Sequence, residues 1–448
     1  MKNTDIQNNL LFFTAFVLLV IFKFSFMGFS YIPYLDDYVQ YLYYPHLFKP
    51  FSEILFGGAG TAFTRPLAAI LDIYFWSYFF KFPYLAVVLL SALFALSGIF
   101  FYAILKKLGF SVSPLFLVIY ALLPSLSEGT YWISAATRIV PALFFTSLAL
   151  YFMVRRKKLL FFIFSLLSHG FYEQACILSF FCSFLIFLSA PKKYFKEFFL
   201  AMLSVVLIGL YYILFGKMGD NSQRLSFDIR FYLNIKNNIS NVCDLFFTKQ
   251  IPLYTKGFLR GISIIKNTKT YFWLLTLFLI LLFLLIFSPK EKFFYYSKKK
   301  ILVGIVLFFA PVLPFLVLKE PWLNFRNLVP SVLGFAIILD TVFSALLKHK
   351  IKYLAFFLSI YLCICNVSEV WDYHKTAEHN KRIIFEIAKN YTGQNEILYE
   401  IKTEKYLEQN SPYHDHIMSI VGSDWGLTGT VRAVLKNKDV IVKQKDSP

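Results

Sequence analysis

Asp36 and Asp37 stand side by side in Tyr34-Leu35-Asp36-Asp37-Tyr38, a few residues beyond a long apolar run. Two adjacent carboxylates beside a membrane surface are costly unless they are hydrated, paired or used. If used, one of them, partly desolvated, serves as a general base toward an acceptor hydroxyl. If unused, they are solvated acids marking the end of a helix. The local sequence accommodates both.

Four further polar clusters interrupt apolar surroundings. Arg65, in Thr64-Arg65-Pro66-Leu67, is either a bidentate grip for a phosphate or a snorkelling anchor before a proline-opened helix. The stretch from Pro124 to Arg138 carries Glu128, Trp132 and Arg138. Interfacial tryptophan is ordinary; the acid and the arginine are less so, and the bland reading pairs them with each other. His169 and Glu173 belong to Ser168-His169-Gly170-Phe171-Tyr172-Glu173-Gln174, a functional knot near membrane depth or a satisfied cluster in a helix hairpin. Arg326, in Trp322-Leu323-Asn324-Phe325-Arg326-Asn327, meets an anionic head group or caps the span that follows it. His414-Asp415-His416 has metal-ligand chemistry, but alternate loop residues need a further ligand. There is no phosphate-binding glycine loop, zinc-protease motif or serine elbow.

The elements that must hold these residues are written in hydropathy. Of 448 residues, 58% are hydrophobic and only 16% charged, with a mean hydropathy of +0.60. A soluble domain carries about a quarter charged residues, so lipid is the solvent for most of this chain. A ~30 Å hydrocarbon core needs about 20 apolar residues per helix, and fewer where the flanks snorkel; runs read as spans on that basis fall at 10–29, 84–105, 112–127, 139–154, 159–171, 174–190, 198–216, 271–288, 301–318, 328–347 and 352–367. The expected fold is therefore an all-α polytopic membrane protein of about eleven spans over residues 1–367. The first run lacks a small-residue cleavage site and reads as a retained helix.

The formal charge of +19 is concentrated in short clusters between the runs: Lys106-Lys107, Arg155 to Lys158, Lys192-Lys193, Lys298 to Lys300, and Lys348, Lys350 and Lys352. With a cytoplasmic N-terminus all of them fall on the cytoplasmic side, as loop lysines and arginines do. No basic face is interleaved with a base-reading motif, so nucleic acid is not an expected partner. The external side then receives segments 30–83, 128–138, 217–270 and 368–448, and with them the polar clusters. Segment 64–82 reads as an interfacial helix, because making it a span would invert every later loop. Amphipathic patterns at 228–248 and 251–265 predict two more interfacial pieces. Residues 368–448 turn polar and predict a small extracytoplasmic α+β segment, with a helix at 376–390 and strands at 396–401 and 439–442. The five cysteines build neither a disulfide framework nor a zinc site.

Taken in order, the clusters resemble those of the GT-C superfamily of polytopic glycosyltransferases. The likeness is to protein O-mannosyltransferase-like members and the bacterial transferases built like them. It rests on Asp36-Asp37 in the first external loop, Arg65-Pro66-Leu67 later in that loop, and Pro124, Glu128, Trp132, Ile133, Ser134 and Arg138. Phe171-Tyr172-Glu173 stands where those families have a Ser-Lys-Glu-like turn, without the lysine. Arg326 to Pro330 opens a late span. The resemblance covers roughly residues 1–345, and the tail matches no tetratricopeptide array.

It implies inverting transfer from a polyprenyl-phosphate sugar to a glycan, lipid or protein hydroxyl outside the cell membrane, in cell-surface glycan assembly or modification. Asp36 or Asp37 would deprotonate the acceptor. Arg65, Arg138 and Arg326 would hold the donor phosphate, with Glu128, Trp132, His169 and Glu173 in support. Use of a divalent metal varies among such enzymes and stays open here. The alternative class is a polysaccharide polymerase or ligase leaning on arginines of 217–270, or a lipid-linked glycan flippase. A flippase should show an internal repeat, and none is present.

Overall fold

The computed structural model describes residues 2–48, 51–56, 63–215, 231–289, 297–317, 323–400, 417, 419–420 and 424–445. Of the described residues 84% are helical, and the sheet among them has two strands. Among the described residues five helical stretches are long and apolar enough to cross a membrane: Pro83–Lys107, Ile133–Val154, Pro191–Phe215, Lys298–Leu316 and Phe325–Lys389. Shorter apolar helices cover Ile6–Phe22, Lys158–Phe171, Glu173–Ser189 and Tyr271–Ile286.

The surface says what surrounds them. Helix Pro191–Phe215 presents Leu203, Val206, Leu207, Leu210, Ile213 and Leu214 outward, and only 11% of its apolar window is buried. Such a contiguous apolar face is at rest in hydrocarbon and not in water. The protein is an all-α membrane protein.

In chain order the principal helices are α1 (Lys2–Phe22), α2 (Pro66–Tyr74), α3 (Pro83–Lys107), α4 (Pro114–Leu122), α5 (Ile133–Val154), α6 (Lys158–Phe171) and α7 (Glu173–Ser189). They continue as α8 (Pro191–Phe215), α9 (Phe231–Cys243), α10 (Gln250–Thr268), α11 (Tyr271–Ile286), α12 (Lys298–Phe309), α13 (Val332–Leu347), α14 (Ile351–Lys389) and α15 (Asp424–Leu435). Prolines stand at the first position of α2, α3, α4 and α8, where a fixed φ and a missing N–H cost nothing.

Several expectations need correction. The first helix ends at Phe22 rather than 29, where Lys23 turns its ammonium inward onto the Ala121 carbonyl at 2.7 Å. The run at 112–127 is not one helix. Pro124 forces Leu123 into an extended conformation, and the chain continues as short turns over Pro124–Leu126 and Ser127–Thr130. Segment 64–82, expected as an interfacial helix and not a span, needs no such correction: it holds the nine-residue α2, about 14 Å long and too short to cross. The expected span 352–367 and the expected helix 376–390 are one helix of 39 residues, α14. No glycine or proline falls between Ile351 and Thr392 to interrupt it.

The predicted amphipathic pieces are α9 and α10. Rather than standing alone, α10 lies along α14. Phe258 stacks on Tyr361 with centroids 4.6 Å apart, and the Tyr361 hydroxyl donates to the Tyr254 carbonyl at 2.8 Å. Arg260 grips Asp372 with two hydrogen bonds of 2.7 and 2.5 Å. Gly261 permits the approach, since a Cβ there would lie 2.2 Å from the Ile364 carbonyl oxygen.

At the opposite end of α12 and α13 sits a buried ion pair. Lys300 Nζ donates to Asp340 Oδ2 and to the Ser111 carbonyl, each at 2.7 Å. Ser113, which caps α4, donates its hydroxyl to the other oxygen of Asp340. One carboxylate thus joins the start of α4 to α12 and α13.

Beyond α14 the chain forms β1 (Glu396–Glu400), α15 and β2 (Ile441–Lys445). The strands pair in parallel with Ile397 opposite Val442, and α15 is the crossover. Strand β1 falls where 396–401 was expected, β2 begins two residues later than the expected 439–442 and runs on to Lys445, and α15 was not foreseen. The unit is rooted on α14 through Asn380, whose carbonyl accepts from the Ser419 hydroxyl at 2.8 Å and the Ile420 N–H at 3.2 Å. Its α15 rests on the Val39–Tyr43 turn that follows the acid pair.

Candidate active site

The two acids differ sharply in their surroundings. Asp37 is buried and fully engaged. Its Oδ2 accepts from the Tyr31 hydroxyl at 2.6 Å and the Tyr34 N–H at 2.8 Å, and its Oδ1 accepts from the Ser134 N–H at 3.0 Å. Ser134 lies in the first turn of α5, where free N–H groups and the helix dipole favour an anion. Tyr31 also accepts from the Ile133 N–H at 3.2 Å. Asp37 is therefore a clasp that ties the first loop to α5. Burial pushes its carboxyl up to about 7, with the three donors opposing.

Asp36 has an oxygen, Oδ1, that is buried without a hydrogen-bond partner among the described residues. Burial raises its carboxyl above the usual range, against the pull of Arg326 and Arg138. Leu35, immediately before it, has φ 44°, a left-handed conformation costly for a branched residue. The surrounding packing holds that backbone and so fixes the direction in which Asp36 leaves the chain.

Each candidate arginine is matched with a carboxylate from a distant stretch. Arg65 makes a two-pronged bond to Glu173, 2.7 Å from Nε to Oε2 and 2.5 Å from Nη2 to Oε1, and its guanidinium lies 4.7 Å from the Tyr172 ring. Its fork is thus occupied by Glu173. Arg138 donates from Nη2 to Asp72 at 3.2 Å and from Nη1 to the Ser134 carbonyl at 2.5 Å. Arg326 lies 3.8 Å from Glu128 Oε1 through Nε, and its backbone N–H donates to Glu128 Oε2 at 3.2 Å. The suggested pairing of Glu128 with Arg138 is therefore replaced by two other pairs. Trp132 is buried between Arg326, 5.4 Å above its ring, and Tyr34, edge-on at 5.5 Å.

His169 is the outlier of the predicted set. It is buried in α6 and makes no hydrogen bond to the acids or arginines above. Its neighbour Ser168 instead bonds Thr146 at 2.6 Å and the Ala142 carbonyl at 2.9 Å, stitching α6 to α5. Gln174, beside Glu173, donates to the carbonyls of Pro311 and Asn327 at 2.9 and 3.0 Å, joining α7 to the Arg326 turn.

Sequence reasoning missed Asp72, the partner of Arg138. It is 3% exposed in α2, and burial lifts its carboxyl to about 6 with Arg138 opposing. Its signal was available: it is the one acid of an apolar amphipathic helix, where an ionised group needs a partner. Among the described residues no three His, Cys, Asp or Glu side chains converge to hold a metal ion. His414, Asp415, His416 and Trp322 lie outside the described residues.

The site thus gathers the first loop, the turn before α5, the start of α7 and the turn before α13 around Asp36, whose Oδ1 is unsatisfied among the described residues, as is Oδ1 of Asp72, whose other oxygen holds Arg138. No protein-family model and no curated protein matches the sequence. The residues and their geometry carry the functional reading.

Proposed function

We infer that this protein is a membrane glycosyltransferase of the GT-C type, transferring a sugar from a polyprenyl-phosphate donor to an acceptor hydroxyl on the extracytoplasmic face. The observation that supports it most is the division of labour within the acid pair. Asp37 is consumed by three donors, whereas Asp36 keeps a buried, unpartnered oxygen beside two arginines. Asp36 is the general base, and Asp37 the group that positions its loop.

In the reaction the acceptor oxygen attacks the anomeric carbon from the face opposite the phosphate. Its proton passes to Asp36, and the sugar–phosphate bond breaks with its electrons remaining on the phosphate. Arg326 and Arg138, the two cations that act on Asp36, stabilise the anion that departs. Arg65 is turned to support, since Glu173 fills its fork.

The topology that goes with this reading has about eleven spans, a cytoplasmic N-terminus and the β1–α15–β2 unit outside. It is supported by the common side of the basic clusters and by the apolar helices. A donor that arrives through the bilayer explains why chemistry would sit away from soluble, cytoplasmic nucleotide sugars. The polymerase reading leans on arginines in 217–270, of which Arg260 is committed to Asp372.

The test is transfer by purified protein in lipid nanodiscs, given polyprenyl-phosphate sugars and cell-surface glycan, lipid or peptide acceptors. Wild type should transfer, and Asp36→Asn should be folded and slower by a factor of about 10² or more. Undiminished transfer by that variant would sink the assignment.

A further inference from the structure

Away from the acids, α1, α4, α11 and α14 line a groove, most of it open to the surroundings, with about 30 Å³ of inner space. Phe16 of α1, Leu117 of α4, Leu284 of α11 and Ala355 of α14 form its wall, and Ser288 and Lys352 its polar margin. The groove has a cause in the sequence. Helix α4 begins only at Pro114 and runs nine residues, about 14 Å, so it cannot fill the space that a full span would occupy.

Among the described residues its margin is positively charged. Lys352 is the cation in the lining, and Lys348, His349 and Lys350 are exposed on the turn just before α14. The nearby acid Asp340, in the helix leading to that turn, is fully buried and bonded to Lys300 and Ser113. A groove with apolar walls, with Lys352 at its margin bonded to no carboxylate among the described residues, matches a lipid with an anionic head and a methylene tail. A zwitterionic lipid would bring the same tail without the charge.

The geometry points to this groove as a binding site for one acyl chain of an anionic glycerophospholipid, with the head group on Lys352. The site is distinct from the acid and arginine cluster and does not depend on the transferase reading.

Native mass spectrometry of the full-length protein, exchanged with phosphatidylglycerol or phosphatidylcholine of identical chains, tests it. Wild type should retain one phosphatidylglycerol about fivefold more strongly than phosphatidylcholine, the factor that one basic residue at a lipid surface supplies. Lys352→Gln should abolish the preference while leaving tail binding, and Ala355→Phe, which fills the groove, should remove retention of both. Equal retention of the two lipids by wild type would overturn the proposal. So would a preference that survives Lys352→Gln, because the surface lysines would then explain it. A polyprenyl phosphate held more tightly than phosphatidylglycerol at the same groove would overturn the choice of lipid.

Discussion

Gly429 of α15 sits directly over Val39, so close that a Cβ at position 429 would come within 2.8 Å of Val39 Cγ2. Val39 begins the turn that follows Asp36 and Asp37, so the β1–α15–β2 unit bears on the segment that carries the acids. The three heavy atoms nearest to that added carbon all belong to Val39.

Substitution at this contact should therefore separate steric from chemical effects. Gly429→Ala forces the two elements apart and should lower the thermal midpoint, by roughly 1–3 kcal/mol of overpacking. Combining it with Val39→Ala should recover most of that loss, because the obstructing methyl groups are gone. Melting curves of the two single variants and the double variant check this. Additive losses would mean that the contact is not what Gly429 protects.

The acid pair predicts opposite phenotypes for the same substitution. An asparagine at 37 must turn its NH2 toward one of the donors from Tyr31, Tyr34 or Ser134, leaving buried groups unsatisfied. Asp37→Asn should cost about 1–3 kcal/mol of stability. Asp36→Asn breaks no hydrogen bond to Oδ1 and should melt near wild type. Thermal melts of the two variants distinguish the clasp from the base, and a larger loss for Asp36→Asn would reverse the roles.

Two buried carboxyls, those of Asp37 and Asp72, set an expected pH dependence. The folded values of Asp37, about 7, and Asp72, about 6, lie above the ordinary 3.8. The folded protein therefore binds these protons more tightly than the unfolded chain does. Their contribution to stability is fully present below about pH 4 and is lost as pH rises through 6 to 7. Midpoints measured between pH 5 and 8 should fall, with a shallower slope in Asp37→Asn. Transfer should run the other way, since a raised Asp36 must lose its proton to act as a base.

The span pattern was legible because it depends on local apolar runs, which a lipid solvent writes without interruption. Helices α3, α6, α7 and α11 fall close to where hydropathy puts them. The break in the 112–127 run was also written, in Pro124, but apolar content masked it. Continuity of α14 was hidden for the opposite reason, because a turn to polar residues is not a helix break. The partners of the arginines were not legible. Arg65 and Glu173 are 108 residues apart and Arg326 and Glu128 are 198 apart, and only the packing of several helices decides who meets whom. Type and order identified the cluster residues, while the distinction between Asp36 and Asp37 needed the N-terminus of α5 brought alongside.

The length of α14 has a mechanical side. Its 39 residues make a rod of about 58 Å, nearly twice the ~30 Å hydrocarbon core. Pivoting at Ile351, a tilt of about 5° would swing the far tip by roughly 5 Å, given the rise of a helix. Asn380 hangs the β1–α15–β2 unit near that tip, and α15 leans on the turn next to Asp36. Helices answer a thicker or thinner bilayer by changing tilt. Bilayer thickness thereby becomes a lever on how tightly the acid is covered.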